Sequence, residues 1–568
     1  MDVDQDQEQD QVRVELQPAA NKDVPPGQAE HQHQQAADAD ATEADVSEVA
    51  LDQEDPGDQE DPAEQEDPAD QEDQEKQPMT TGGDAAETGE AVAPEGEKNG
   101  FVKVKMEEEE EKFTGLNKEE LLRVAGTPGW VRTRWALLVL FWLGWFGMLG
   151  GAVLIILQAP RCRDLPTTYW WNQGPLYQVA RVQSFTDAGN FQGVLSKVDA
   201  LSRLGVKSLV IGPVHVAPPD DAMGLRFEEI SPDAGSLEQL KELLRATHRK
   251  GMMVVLDLTP NYQGSTGAWF FNGTVTVVAE KLKSALVFWF DQGVDGVQLS
   301  EVERVAAMVP SLWADIRAIV QNGTNERPTK RVLIGVTERH SALDVSDLLS
   351  STGVDLLTSR LLLPSDPAEY AQSIWSLYSA HAQSRLAWNV GGWGQGHMAS
   401  LVGPALLRLY QVLLFTLPGT PVFNYGDEIG LTDQDSTFPR MLWDSDEELN
   451  GTLQEERERR TSSRSFFRRL SELRVKERSL LVGDLVPLFN SSSSLAYMRV
   501  WDQSVRYLVA INWAEQEAEL ELNHQALPPQ TMADVVLATN ATAVDRVNPA
   551  RLRVGAREAL LLKFPYAG

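Results

Sequence analysis

The chain has 568 residues, enough for several domains, and its net charge of −34 is concentrated at one end. Residues 1–112 hold 36 Asp and Glu against 7 Lys and Arg, with few aromatic or branched apolar side chains. A segment of that composition cannot bury enough apolar area to offset its ordering entropy, which predicts a disordered tail, and a polyanion of this kind argues against nucleic acid as a partner.

Within the tail a six-residue unit recurs, QEDPGD from Gln53, QEDPAE from Gln59 and QEDPAD from Gln65, and like-charge repulsion keeps such a chain extended. Next, Asn117 and Glu120 have the spacing of a capping box that opens a short juxtamembrane helix, with Gly126 and Pro128 expected to close it. The run from Trp135 to Leu157 is free of charge and reaches about 34 Å as a helix, enough for a hydrocarbon core of roughly 30 Å. It reads as a transmembrane helix and, far from the N-terminus without a cleavage flank, as a signal anchor. Gly147 and Gly151 have the GxxxG spacing that lets a second helix approach closely. A lone span without ionisable residues cannot enclose a solute pathway, so any transport would need another chain.

Arginines flank both ends of the span, Arg132 and Arg134 before it and Arg161 and Arg163 after it, so charge leaves orientation open. Sequons resolve it. Asn272, Asn322, Asn450, Asn490 and Asn540 each begin an Asn-X-Ser/Thr triplet, all C-terminal to the span. The expectation is a type II membrane protein, N-terminus cytoplasmic and the C-terminal ectodomain outside. Cys162 is the single cysteine, five residues past the span. An unpaired cysteine on the oxidising side reads as half of an intermolecular disulfide or as a free thiol, and a palmitoylated one is the remaining alternative.

From Tyr169 to Leu480 short apolar runs alternate with amphipathic helical stretches, the pattern of a parallel α/β fold. The runs start near Leu176, Ser208, Met253, Gly296, Val332, Asp355, Arg385 and Pro421, and eight of them suit a (β/α)8 TIM barrel. From Leu481 onward LAYMRVW, VRYLVAINW, EAELEL and ALLLKF predict a small antiparallel β domain. The expected organisation is therefore a cytoplasmic tail (1–112), a juxtamembrane helix (113–134), a transmembrane helix (135–157), a neck (158–168), a barrel (169–480) and a β domain (481–568).

The run ISPDAGSLEQLKELLRATHRKGMMVVLDLTPNY resembles the second and third βα units of the α-amylase family of glycoside hydrolases, with Asp257 and Asn261 at the family's positions. LPGTPVFNYGDEIGL is similar to that family's eighth-strand motif, and GVDGVQLSEV to its fourth. The resemblance implies a catalytic site at the C-terminal strand ends, but its key residues are replaced. Where the family has an Arg and a nucleophilic Asp on the fourth strand, this chain has Gln298 and Ser300. A serine hydroxyl cannot act as the carboxylate a retaining glycosidase needs. Glu301, one residue on, should point to the other face of the strand. Glu338 coincides with the family's acid, the Asn-His-Asp after the seventh strand is expected at Gly392, Trp393 and Gly394, and Tyr262 replaces a His. The inserted domain after the third strand is expected to be missing. Asp257, Asn261, Gln298, Ser300, Glu338 and Gly394 thus read as a vestigial site with no catalytic residue. No zinc-like spacing, phosphate-binding loop or HExxH is present, so neither metal nor cofactor is expected.

The stretch from Lys112 to Leu138, continuing to Arg161, Cys162 and Arg163, resembles the heavy chains of heteromeric amino acid transporters, and the missing inserted domain favours their 4F2 type. That resemblance implies a subunit linked through Cys162 to a multi-pass light chain, which it stabilises and brings to the plasma membrane, and a further association with integrin β subunits. Two other readings stay open at this point: a membrane-anchored α-glucosidase with a non-standard site, and an adhesion or signalling receptor without a transport partner.

Overall fold

The computed structural model describes residues 117–159, 162–270, 273–322, 330–363, 367–392, 394–434, 436–444, 451–525, 527, 532–540 and 545–566. The acidic tail and the sequon residues Asn272 and Asn450 lie outside the described residues, as does Trp393.

Helix α1 runs from Lys118 to Ala125 and stops at Gly126. The Asn117 side chain accepts from the Lys118 backbone N–H at 3.0 Å, so the cap is local and not the reciprocal box expected with Glu120. Pro128 does not close this helix. It occupies the first turn of α2 (Pro128–Gln158), where its missing N–H would have no partner in any case. The 31-residue α2 therefore takes in residues 128–134, assigned from sequence to the juxtamembrane segment. Long and apolar enough to cross a membrane, it buries none of its residues. A Cβ built at Gly147 or Gly151 would meet nothing within 4 Å, which leaves that face open.

Eight strands form one parallel sheet: β1 (Leu176–Val179), β2 (Ser208–Ile211), β3 (Met253–Asp257), β4 (Gly296–Ser300), β5 (Val332–Val336), β6 (Leu356–Thr358), β7 (Ala387–Trp388) and β8 (Thr420–Asn424). They pair in sequence order, β8 pairs with β1, and a bridge between Leu357 and Leu386 joins β6 to the segment entering β7, so the sheet closes into a barrel. All eight fall where the apolar runs predict them. Strands buried on both faces need apolar side chains inside the barrel and under the helices alike, hence runs without alternation.

Outside lie α3 (Phe191–Arg203), α4 (Leu237–Arg249), α5 (Val275–Gln292), α6 (Pro310–Gln321), α7 (Ala342–Thr352), α8 (Pro367–Ala380), α9 (Leu407–Thr416) and α10 (Thr452–Lys476). Helix α4 shows how sequence sets such an element: Ser236 and Gln239 form a reciprocal capping box, and Leu240, Leu243, Leu244 and Thr247 make the buried stripe. The barrel interior is filled by Leu176, Val210, Val255, Ile334, Leu356 and Val422, with Trp171 in the same cluster.

The remaining strands are β9 (Asp484–Asn490), β10 (Ser494–Val500), β11 (Arg506–Asn512), β12 (Ala518–Glu521), β13 (Ala533–Ala538), β14 (Arg546–Val547), β15 (Arg551–Val554) and β16 (Glu558–Phe564). Six form an antiparallel sheet in the order β9-β10-β11-β16-β13-β14, while β12 pairs with β15. Pro487 sits on the edge strand β9, where a lost N–H donor is tolerated.

Two buried arginines clasp the C-terminal end of α9, one from the barrel's last helix and one from the β domain, and the second joins the two parts. Arg474 of α10 donates to the carbonyls of Phe415 (2.5 Å), Leu417 (2.9 Å) and Gly419, and Arg499 of β10 donates to those of Thr416 (2.5 Å) and Gly483 (2.8 Å). Burial lowers their pKa values to about 9 and about 10, yet both guanidiniums face the negative end of a helix dipole and its orphan carbonyls.

The neck is also anchored. The Arg163 guanidinium pairs with Asp484 at 2.5 Å and lies 4.8 Å from the centre of the Trp501 ring, and its backbone N–H donates to Asp502 at 3.4 Å.

Candidate functional site: the strand-end face of the barrel

The C-terminal ends of parallel barrel strands converge on one face, where loops can assemble a site. In register across that face stand Asp257 of β3 and Gln298 of β4, with Gln178 of β1 completing a chain of side chains. Gln178 Nε2 donates to Gln298 Oε1 at 3.1 Å, and Gln298 Nε2 donates to Asp257 Oδ2 at 2.7 Å. The other carboxylate oxygen, Oδ1, accepts from the Thr259 backbone N–H at 2.8 Å. Asp257 is only 2% exposed, and burial pushes its carboxyl up to about 6 against the opposing pull of the Thr259 and Gln298 hydrogen bonds. The carboxylate is thus enclosed between Gln298 and the Thr259 backbone, with Gln178 one step further along the chain.

Ser300 ends β4, two residues past Gln298. Its carbonyl accepts from the Trp269 indole at 3.1 Å. Glu301 leaves the strand in the left-handed conformation (φ 52°) and caps the short helix Val302–Met308. Its carboxylate takes the Ala268 backbone N–H and pairs with Arg304, so it serves a loop. Glu338 is solvent-exposed and paired with Arg360, with Gln395 donating to it at 3.4 Å. The family's nucleophile and acid positions are therefore not brought together with Asp257 by hydrogen bonds. Gly394 (φ 76°) is exposed six residues beyond the end of β7, while the buried residues just past that strand are Asn389, Val390 and Gly391.

A cavity of about 250 Å³ remains on this face, lined by Arg181, Asp233, Tyr262, Gln263, Gly394 and Phe438 among others. Asp257, Gln298, Ser300 and Glu338 do not line it.

Asn261 is consumed by the loop that follows β3. It donates to Asp220 (2.8 Å) and to the Thr266 carbonyl (2.7 Å), and it accepts from the Asp220 N–H at 3.0 Å. Asp220 in turn accepts from the backbone of Ser265 and Thr266, and these bonds, with those of Thr266 and Asn261 foremost, hold its carboxyl well below the usual range. This mutual tie closes the short path from Asp257 to α5, where no strand intervenes among the described residues. Among the described residues no three His, Cys, Asp or Glu side chains gather as a metal site. Tyr262 donates its hydroxyl to the His215 carbonyl at 2.8 Å, and burial drives the His215 imidazole down to about 3, so it stays neutral.

The eighth-strand motif also has a structural use. Glu428, fully buried and raised to about 7, accepts from Tyr177 (3.1 Å) and the Gly426 N–H (3.0 Å); Asp427, raised to about 6 by burial, accepts from the backbone of Met398 and Asn424. Sequence reasoning did not single out Gln178 or Asp220. The available signals were a lone polar residue in the apolar run LYQVARV and an acidic pair in the turn PPDD.

Of the residues singled out elsewhere, Cys162 is exposed and free, and Asn322, Asn490 and Asn540 are exposed.

Comparison with known proteins places these features in a lineage. Residues 101–177 match the family described as the N-terminus of solute carrier family 3 member 2, and residues 172–276 match the catalytic domain of alpha amylase. The trehalulose synthase MutB of Pseudomonas mesoacidophila superposes with a TM-score of 0.57 at 17% identity, covering 70% of this chain and all of that one, a likeness of fold. The amino acid transporter heavy chain SLC3A2 of Oryctolagus cuniculus is 42% identical, over 92% of this chain and 99% of its own length; its Mus musculus counterpart is 40% identical with the same coverage. The heavy chain SLC3A1 of Rattus norvegicus is 22% identical over 75% of this chain and 82% of its own. The chain thus belongs to the family of amino acid transporter heavy chains, and within it groups with the SLC3A2, or 4F2, heavy chains.

Proposed function

We propose that the chain is the non-catalytic ancillary subunit of a heteromeric amino acid transporter. Helix α2 crosses the plasma membrane once, with the acidic tail in the cytoplasm and the barrel and β domain outside. Cys162 forms a disulfide with a multi-pass light chain, which supplies the solute pathway that a single helix cannot. The heavy chain stabilises that partner and brings it to the cell surface. The observation that carries this reading is the 42% identity over 92% of the chain to a protein named as an amino acid transporter heavy chain. The enclosure of Asp257 and the serine at position 300 support a barrel kept for its surface.

Electrophoresis of membranes without reductant tests the link: the chain is expected in a heavier complex that collapses with reductant and is absent in Cys162→Ser. Migration as a monomer under both conditions defeats it. A contact with integrin β subunits through α2 and the tail belongs to the same reading, and its test is co-precipitation of those subunits, which should be lost when α2 and the tail are replaced.

A further inference from the structure

An apolar groove of about 260 Å³ runs between α8 and the edge of the β domain. It is lined by Ala371, Ile374 and Trp375 of α8 and by Pro487, Asn490 and Tyr497 of the β domain. The positions 371, 374 and 375 share one helix face. Trp375 is 43% exposed, whereas Trp171, Trp289, Trp313, Trp388 and Trp501 of the same ectodomain are each 3% exposed or less. A large aromatic face left open beside a groove indicates a ligand with an apolar surface.

The identity of the ligand follows from Asn490. It is the first residue of an Asn-Ser-Ser sequon, it is exposed, and it is the last residue of β9. In the ladder it stands directly opposite Leu495, and Leu495 lines the groove. Cross-strand partners leave a sheet on the same face, so the Asn490 side chain starts from the groove side. Pro487 and Tyr497, also paired across the ladder, line the groove together and mark the same face.

We infer that Asn490 carries an N-linked glycan and that its first N-acetylglucosamine units lie in this groove, their C–H faces against Trp375. In the modification the Asn490 amide nitrogen loses one proton and bonds to the anomeric carbon of an oligosaccharide carried on a lipid pyrophosphate. The lipid pyrophosphate leaves with the glycosidic electron pair. Tethering at a residue that lines the groove makes docking intramolecular, so a weak sugar–aromatic contact suffices to hold it. The inference rests on the outward orientation proposed above.

The experiment uses the full chain made in cells with an N-glycosylating secretory pathway and purified in detergent without denaturation. Glycan release by a peptide-N-glycosidase is followed at each sequon by mass spectrometry. A docked state favoured tenfold over the free one slows release at Asn490 about tenfold relative to Asn540. Trp375→Ala should remove the difference and Trp375→Phe should keep most of it. Equal release rates at Asn490 and Asn540 in the unmodified chain overturn the inference, and the groove then belongs to another occupant such as lipid or a partner segment. So does an Asn490 without glycan where Asn322 or Asn540 carries one, a result that leaves the orientation standing. No glycan at any of the sequons overturns the orientation and the inference with it.

Discussion

Replacing Asp257 by Asn should stabilise the protein, and by an amount that depends on pH. The Asp257 carboxyl has a folded pKa of about 6 against an ordinary value of 3.8. Because the folded value is the higher one, the folded state binds the proton more tightly. Stability from this group is complete at low pH and is lost as pH rises through the folded pKa. The shift amounts to about 3 kcal/mol once both states are ionised. At pH 4.5 the unfolded carboxyl is already largely ionised and the folded one is not, which corresponds to about 1 kcal/mol.

The amide can keep the hydrogen bonds. Asn Oδ1 accepts from Thr259, Nδ2 donates to Gln298 Oε1, and Gln298 and Gln178 each rotate their amides to reverse the chain. The assay is denaturant unfolding of the solubilised chain, followed by tryptophan fluorescence across pH. The variant's advantage should widen from about 1 kcal/mol at pH 4.5 to about 3 kcal/mol at pH 7.5. Asp427 and Glu428 titrate in the same range but are common to both proteins, so the difference isolates Asp257. A variant less stable than the parent at pH 7.5, or a gap of equal size at both pH values, refutes the reasoning.

Two further outcomes follow from the geometry. Arg474→Met leaves the carbonyls of Phe415, Leu417 and Gly419 without their buried donor and should cost about 3 kcal/mol, near 1 kcal/mol for each, read as a lowered denaturation midpoint. Ser300→Asp restores a carboxylate at the family's nucleophile position, yet glucose release from maltose should not rise above that of the unmodified chain, because Asp257 is enclosed and Glu338 is exposed and paired with Arg360.

Barrel strands were legible because each is a continuous apolar run bounded by Gly, Pro or charge, a pattern that burial on both faces imposes. The β domain was only partly so. LAYMRVW and ALLLKF stand out, but β9 is interrupted by Pro487, and β14 and β15 are short and charged, so pairing and not intrinsic preference makes them strands. Helix α10 escaped notice as well: TLQEERERRTSSRSFFRRLSELRVK is highly charged, and few of its side chains, chiefly Phe467, Leu470 and Arg474, are buried. That Gln298 and Ser300 stand where the resembled motif has an Arg and an Asp could be read directly. What could not be read was the use to which Asp257 is put, because its partner Gln298 is itself held by Gln178, 120 positions away in sequence, and only barrel closure brings the two glutamines together.

The anchoring of Arg163 fixes where the segment that follows Cys162 meets the folded body. Any pull on Cys162 reaches the next residue, which is held by Asp484, Asp502 and the Trp501 ring, all in or beside the first strands of the β domain. Asp484 also accepts from Tyr378 of α8 at 3.3 Å. A displacement at Cys162 is therefore felt first at the β9 edge and at α8, before the chain reaches the barrel at Tyr169.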